Sequence, residues 1–183
     1  MQVRCALVGM PGSGKSTVGK QLAQRLGVPF IDLDHQLELV LKTSIRNFFE
    51  TEGEARFRDL EAQVLADTTA QPGGMVLSTG GGAVLRPENR EVLRQFGNVL
   101  YLRASPEEIF KRVKHDKTRP LLQGGNPMGK LRDLYAQRDP LYRETAHYVI
   151  ETGRPSVSTL VNMVMMQLEM AQSAVVAAPS TPG

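Results

Sequence analysis

Residues 9–17 are the part of this sequence that most restricts its fold: they read GMPGSGKST and match the phosphate-binding pattern GxxxxGK[ST]. An apolar run at residues 3–8 precedes them, and Val18, Leu22 and Leu26 follow at helical spacing. The motif therefore lies between a predicted strand and a predicted helix. Its glycines let backbone N–H groups turn inward around phosphate oxygens, and the helix N-terminus adds partial positive charge. The pattern predicts a nucleoside triphosphate site on an α/β fold.

Individual side chains of the motif suit separate parts of a nucleotide. Lys15 is long enough to reach the β- and γ-phosphates, and the hydroxyl of Ser16 suits Mg²⁺. A glycine-rich turn that only caps a helix is the alternative, but every fixed position of the pattern is present in the correct context. The residues expected to contact the nucleotide here are Gly12, Ser13, Gly14, Lys15, Ser16 and Thr17.

Strand-like and helix-like segments alternate along the chain, which predicts a parallel sheet with crossover helices. We expect a three-layer α/β/α domain over residues 1–172 with a five-stranded parallel sheet. Helical pattern dominates residues 35–70, with breaks expected near Thr43–Ser44 and at Gly53. A helix at about 130–144 is expected to kink or restart at Pro140, and the last helix to span about 156–171. The predicted strands lie at residues 3–8, 28–31, 75–78, 98–102 and 148–150.

Two segments lack the periodicity of a helix or a strand. Residues 114–127 contain adjacent glycines and two prolines between polar residues, which predicts a mobile lid. Residues 173–183 are rich in Ala, Pro, Ser and Gly, which predicts a disordered tail.

The composition excludes several classes of protein. The formal net charge is only +3, and the lysines and arginines form no long run, so nothing favours nucleic acid as a partner. Cys5 is the only cysteine, which excludes an internal disulfide, and its place in the first strand predicts a small buried hydrophobe. A strand predicted so near the start leaves no room for a signal peptide, and no apolar stretch approaches the ~18 residues of a membrane span. The expectation is a cytoplasmic protein.

Unusual residues follow the second and third predicted strands. Ligands of open parallel sheets bind beyond the carboxyl ends of the strands. Asp32 and Asp34 alternate there and could hold a Mg²⁺ shell or position an acceptor hydroxyl, unless Asp34 only caps the next helix. Three glycines at residues 80–82 suggest a ligand lying against backbone N–H groups, with a flexible turn as the alternative.

Arginines are harder to assign from pattern. Arg58 has Glu54 and Glu61 at helical ion-pairing distances, so a solvated, ion-paired face is the simpler explanation. Arg119 lies in the lid-like segment, and Arg138 lies on the helix that follows it. A guanidinium group can bind a carboxylate or phosphate through two parallel hydrogen bonds, so each position stays open to both readings.

Together these motifs resemble those of the shikimate kinase family, small kinases of aromatic amino-acid biosynthesis. The resemblance extends from the first strand to about Pro155, and it implies a P-loop kinase fold whose helical part at about 33–60 binds the substrate. The motifs that carry it are residues 9–17, FIDLD at 30–34, FRDLE at 57–61, STGGGA at 78–83, RPLL at 119–122 and YAQR at 135–138.

On the acceptor side, the resemblance implies that Asp34 binds the substrate hydroxyls and orients or deprotonates the attacking one. Arg58 and Arg138 would bind the shikimate carboxylate. The backbone of Gly80, Gly81 and Gly82 would line the substrate pocket.

On the donor side, the resemblance implies that Arg119 comes from the lid to the phosphates of ATP, acting with Lys15. Ser16 would bind Mg²⁺ directly, and Asp32 would act on the metal through water. Arg112 and the loop at Arg154 and Pro155 would lie around the adenine.

The favoured function is ATP-dependent phosphorylation of the shikimate 3-hydroxyl by a monomer. A related kinase acting on a small metabolite such as gluconate stays open, because Arg58, Arg138 and Asp34 favour a polyhydroxy carboxylic acid without selecting one. The short lid lacks the many arginines of a nucleoside monophosphate kinase. A non-catalytic nucleotide-binding regulator would be favoured by the loss of Lys15, Asp34 or Arg119, and all are present.

Overall fold

The computed structural model describes residues 3–115 and 124–177, in which strands and helices alternate as the sequence predicts. The strands are β1 (Arg4–Val8), β2 (Phe30–Asp32), β3 (Met75–Ser78), β4 (Asn98–Arg103) and β5 (Tyr148–Glu151). The helices are α1 (Lys15–Leu26), α2 (Leu33–Leu41), α3 (Ile45–Glu52), α4 (Glu54–Thr69), α5 (Pro87–Phe96), α6 (Pro106–Val113), α7 (Pro127–Thr145) and α8 (Val157–Ala177).

All five strands run parallel in one sheet with the order β2-β3-β1-β4-β5. The predicted five-stranded parallel sheet is therefore confirmed. In the central strand, Ala6 and Val8 belong to one hydrophobic cluster, whereas Cys5 and Leu7 belong to the other. Side chains alternate between the faces of a strand, so these two clusters are the two sides of a sheet covered on both faces. Burial raises the pKa of the Cys5 thiol far above its ordinary value, consistent with the buried hydrophobe expected.

The helical region after β2 divides where the sequence predicts. Lys42 ends α2 in the left-handed conformation, with φ 57°, and the Ser44 side chain caps α3 by accepting a hydrogen bond from the Asn47 N–H. Gly53, with φ 85°, separates α3 from α4. Both predicted breaks are confirmed.

Helix α7 departs from the prediction in two ways. It begins at Pro127, where the Asn126 side chain accepts a hydrogen bond from the Gly129 N–H at 3.1 Å, so the end of the predicted lid is helical. It also continues through Pro140, and the predicted restart is wrong. Leu131 and Tyr142 pack into the same core cluster on either side of the proline, and this packing holds both halves in one helix.

Helix α8 is longer than the sequence suggests. It extends to Ala177, so the prediction that a tail begins at Ser173 is wrong; the Ser173 hydroxyl donates to the Glu169 carbonyl within this helix. Residues 178–183 lie outside the described part of the chain. In the described part, α8 is the one helix long and apolar enough to cross a membrane, with mean hydropathy 1.3, which corrects the expectation that no segment approaches such a span. Leu160, Val164 and Leu168 nevertheless pack in the core cluster of β1.

Candidate active site

The loop between β1 and α1 has a backbone that requires glycine. Gly9, Gly12 and Gly14 have φ values of 153°, 82° and 96°, a region that other residues rarely adopt. A Cβ atom at Gly9 would also lie 2.7 Å from the Leu102 carbonyl oxygen. Gly14 is the residue from which α1 begins, so the loop delivers a helix N-terminus to the carboxyl edge of the sheet.

Lys15 lies under this loop and is only 8% exposed. Its Nζ donates to the carbonyl oxygens of Gly9 at 2.8 Å and Met10 at 2.9 Å. These contacts hold the ammonium group beside a cleft at the carboxyl edge of the sheet. Its charge therefore acts on any anion that lies along the loop.

Asp32 connects the loop to the end of β2. One carboxylate oxygen accepts a hydrogen bond from the Asp34 N–H at 3.0 Å, and the other accepts from the Ser16 hydroxyl at 3.1 Å. Asp32 is thus the N-cap of α2, and the alternative that Asp34 caps this helix is wrong. A carboxylate beside a hydroxyl is an oxygen donor set of the kind that Mg²⁺ prefers, completed by phosphate oxygens and waters.

Asp34 lies in the first turn of α2, close to the glycine run at residues 80–82. Burial raises the pKa of its carboxyl above the ordinary value, and the negative charge of Asp32 raises it further. The positive charges of Lys15 and Arg58 act in the opposite direction. A Cβ atom at Gly80 would lie 2.6 Å from an Asp34 carboxylate oxygen, so glycine is needed for the run to approach this side chain.

Arg58 and Glu61 of α4 form a buried ion pair, contrary to the solvated face that their spacing suggests. Their atoms approach to 2.9 Å, with the side chains 12% and 1% exposed. The rings of Phe49 and Phe57 lie beneath the guanidinium group and exclude water from it. Burial raises the pKa of Glu61, and Arg58 opposes that rise. A Cβ atom at Gly82 would lie 2.5 Å from the guanidinium carbon of Arg58, so Arg58 lies directly against the glycine run.

Arg138 approaches the same glycine run from α7. Its Nη1 lies 3.0 Å from where a Cβ atom of Gly81 would be. Its Nε is buried and has no hydrogen-bond partner among the residues that the structure describes. Tyr142, one turn later, donates a hydrogen bond of 2.6 Å to the Gly81 carbonyl oxygen. The run is therefore contacted by guanidinium groups from two different helices.

These parts border one cleft of about 390 Å³ at the carboxyl edge of the sheet. Gly82, Arg58 and Arg138 adjoin the lining through the glycine run without belonging to it. The sequence interpretation assigned no role in the site to Pro11, Ser78, Thr79 or Val113, although Ser78 and Thr79 share with the glycines their position at the end of β3. The lining residues that it did single out are Gly12, Gly14, Lys15, Ser16, Thr17, Asp32, Asp34, Gly80, Gly81 and Arg112.

Arg112 joins the phosphate loop to the last loop of the sheet. Its guanidinium group donates to the carbonyl oxygens of Ser13 at 3.1 Å and Thr152 at 2.9 Å. Arg154 and Pro155 follow Thr152 in this loop and do not border the cleft in the described part of the protein.

Arg119 and a metal ion are two further contributions expected at this site. Arg119 lies among residues 116–123, outside the described residues, as does most of the predicted lid. Within residues 3–115 and 124–177, no group of three His, Cys, Asp or Glu residues could hold a metal. The Ser16 and Asp32 pair could therefore hold a metal ion only together with oxygen ligands from a substrate or water.

Comparison with known proteins points to one family. The family model for shikimate kinase matches residues 11–169. A shikimate kinase from Ralstonia nicotianae is 55% identical over 175 residues, which cover 96% of this chain and 92% of that protein. The structure of a shikimate kinase from Acinetobacter baumannii in complex with shikimate superposes with a TM-score of 0.88 at 44% identity, covering 93% of this chain and 95% of the other.

One structure of lower sequence identity bears on the alternative that the chain is a gluconate kinase. A gluconokinase structure from Sinorhizobium meliloti matches with a TM-score of 0.61 at 18% identity, covering 95% of each chain. At this identity the likeness shows a shared fold only.

Proposed function

The chain belongs to the shikimate kinase family, and from this we propose how its residues phosphorylate the 3-hydroxyl of shikimate with ATP. The observation that carries the proposal is one cleft in which a phosphate-binding loop and a buried carboxylate face a glycine run contacted by two arginines. Phosphoryl transfer depends mainly on positioning and charge stabilisation. The cleft supplies both. The product of the proposed reaction, shikimate 3-phosphate, belongs to the pathway toward aromatic amino acids.

We assign the acceptor to the side of the cleft formed by the glycine run. Arg58 and Arg138 bind the carboxylate of shikimate, since guanidinium groups bind carboxylates bidentately and Arg138 has a buried Nε without a described partner. The backbone of residues 80–82 lines the pocket between them. Asp34 then holds the hydroxyls of the ring and orients the attacking one toward the phosphate loop. It accepts the proton of that hydroxyl as the new bond to the γ-phosphorus of ATP forms and the bond from this phosphorus to ADP, the leaving group, breaks.

We assign ATP to the phosphate loop. The loop N–H groups and the α1 N-terminus bind its phosphates, and Lys15 moves from the Gly9 and Met10 carbonyls to the β- and γ-phosphates. Ser16 would hold Mg²⁺ directly, with Asp32 acting through water; the bound ion neutralises phosphate charge. Arg112 and the loop with Arg154 and Pro155 lie on the adenine side, because Arg112 fixes that loop to the phosphate loop.

Arg119 and the lid at 114–127 complete the proposal. We assign Arg119 to the phosphates of ATP, where its charge stabilises the transferred group. Lid closure excludes water, which otherwise competes as the phosphoryl acceptor. We further propose a cytoplasmic monomer without nucleic-acid or membrane partners. The availability of ATP in the cytoplasm supports the proposed compartment. The packing of one side of α8 on the core supports the absence of a membrane partner.

An assay of ADP release tests the proposed substrate. With ATP and Mg²⁺ supplied, we expect turnover with shikimate and not with gluconate or nucleoside monophosphates. The same panel without added divalent cation should give little ADP with any acceptor. Gluconate turnover matching that of shikimate would favour the alternative kinase, and ATP binding without turnover of any acceptor would favour a regulator.

The pH dependence tests the role of Asp34. Because burial and Asp32 raise the pKa of this carboxyl and the reaction uses its ionised form, kcat/KM for shikimate should fall on acidification through a pKa above 3.8, the ordinary value. Glu61→Gln is the control, since Glu61 is a second buried carboxyl with a raised pKa. We expect this variant to keep the acidic limb, moved to lower pH because the negative charges of Glu61 and Asp34 raise each other's pKa. Loss of the acidic limb in Glu61→Gln would show that Glu61, and not Asp34, is the group that titrates.

A further inference from the structure

Tyr142 makes a contact that links the two sides of the acceptor pocket. Its side chain is fully buried, and its hydroxyl donates to the Gly81 carbonyl oxygen at 2.6 Å. A phenol has one proton to donate, so this bond leaves only its oxygen lone pairs for other partners. Those lone pairs can accept from a cation.

The cation beside Tyr142 is Arg138, one turn earlier on α7. Burial raises the pKa of Tyr142 to about 12, and the positive charge of Arg138 opposes this rise. Nη1 of Arg138 also lies against Gly81. The guanidinium group and the phenol therefore converge on the same residue, the phenol through a hydrogen bond to its carbonyl.

We propose that Tyr142 is a positioning residue for the shikimate carboxylate, because its hydroxyl fixes the Gly81 peptide against which the Arg138 guanidinium lies. This inference rests on the proposed role of Arg138. Tyr142 touches no substrate: it fixes the direction of the guanidinium fork and of the Gly81–Gly82 peptide. Since that peptide is trans, fixing its carbonyl also directs the Gly82 N–H away from Tyr142.

Tyr101 provides a matched control. It is also fully buried, and its ring lies 5.0 Å from that of Tyr142. Its hydroxyl donates at 2.7 Å to Asp139, which also receives a bond from Arg143 and plays no part in the pocket proposed here. Tyr101→Phe therefore removes a comparable buried hydrogen bond without changing the contacts of Arg138 and Tyr142 with Gly81.

The test compares Tyr142→Phe with Tyr101→Phe in ADP-release kinetics and thermal unfolding. We expect both to lower Tm, but only Tyr142→Phe to raise KM for shikimate, by about tenfold, or ~1.4 kcal/mol. KM for ATP should change less than about twofold in both variants. Equal KM effects from the two variants, or an equal effect of Tyr142→Phe on ATP and shikimate, would show a merely structural role and overturn the proposal.

Introducing Tyr142→Phe into an Arg138→Lys variant tests whether Tyr142 acts through Arg138. In Arg138→Lys, which cannot form the fork, adding Tyr142→Phe should change KM for shikimate by less than about twofold. A full tenfold effect there would overturn the proposal. If Arg138→Lys alone leaves KM unchanged, the role of Arg138 and this inference both fail, whereas shikimate turnover by the unsubstituted enzyme would still uphold the activity.

Discussion

Lys15→Ala is expected to lower kcat for shikimate phosphorylation by about a thousandfold or more, while the fold stays intact. The side chain is buried beneath the phosphate loop, where its Nζ donates to the carbonyl oxygens of Gly9 and Met10. In the mechanism we propose, its charge lies where negative charge develops on the transferred phosphoryl group. Removing it eliminates a preorganised cation that water cannot replace in the same geometry. Steady-state kinetics with saturating ATP and shikimate measures the effect.

Lys20→Ala controls for the loss of a lysine on the same helix. Lys20 lies on the exposed side of α1, away from the loop, so we expect near-normal kcat. Circular dichroism and thermal unfolding of Lys15→Ala should show a folded protein, because the variant loses two hydrogen bonds to loop carbonyls but keeps the three glycines that set the loop backbone. Near-normal turnover by folded Lys15→Ala would refute the assignment of this loop to ATP.

The sequence predicts the fold and the phosphate loop well because both depend on local rules. The phosphate loop, the five strands and the breaks near Thr43–Ser44 and at Gly53 each follow from glycine geometry, capping or apolar periodicity. Asp34 and the glycine run were identified because they follow strands of a parallel sheet, and the carboxyl ends of such strands share one edge.

Features that depend on packing between distant segments are harder to predict from the sequence. Helical spacing places Glu61 beside Arg58 but does not reveal that two phenylalanine rings and Gly82 bury the pair. Tyr142 carries no local signal, since its contact is with Gly81, which lies far away in the sequence. The continuity of α7 through Pro140 likewise depends on tertiary packing, which overrides the local cost of proline.

Arg58→Ala is expected to raise KM for shikimate by about a hundredfold, because a bidentate charge-assisted pair contributes roughly 1.5–3 kcal/mol. KM for ATP should change less than about twofold. Arg56→Ala is the matched control, since Arg56 lies on the same helix, is 65% exposed and pairs with Glu52 at 2.7 Å. We expect it to leave both constants unchanged, because exposed pairs of this kind contribute little. Initial-rate kinetics at varied shikimate and fixed, saturating ATP gives these values.

Loss of Arg58 also leaves Glu61 buried without its main cation, which raises the pKa of Glu61 further and lowers stability. The double variant Arg58→Ala/Glu61→Gln separates this folding cost from binding, because a neutral amide at position 61 no longer needs the cation. We expect the double variant to recover most of the lost Tm and to keep the raised KM for shikimate. Recovery of KM together with Tm would mean that Arg58 supports the pocket without binding the carboxylate. A raised KM that persists in a stable protein would establish Arg58 as a ligand of the acceptor.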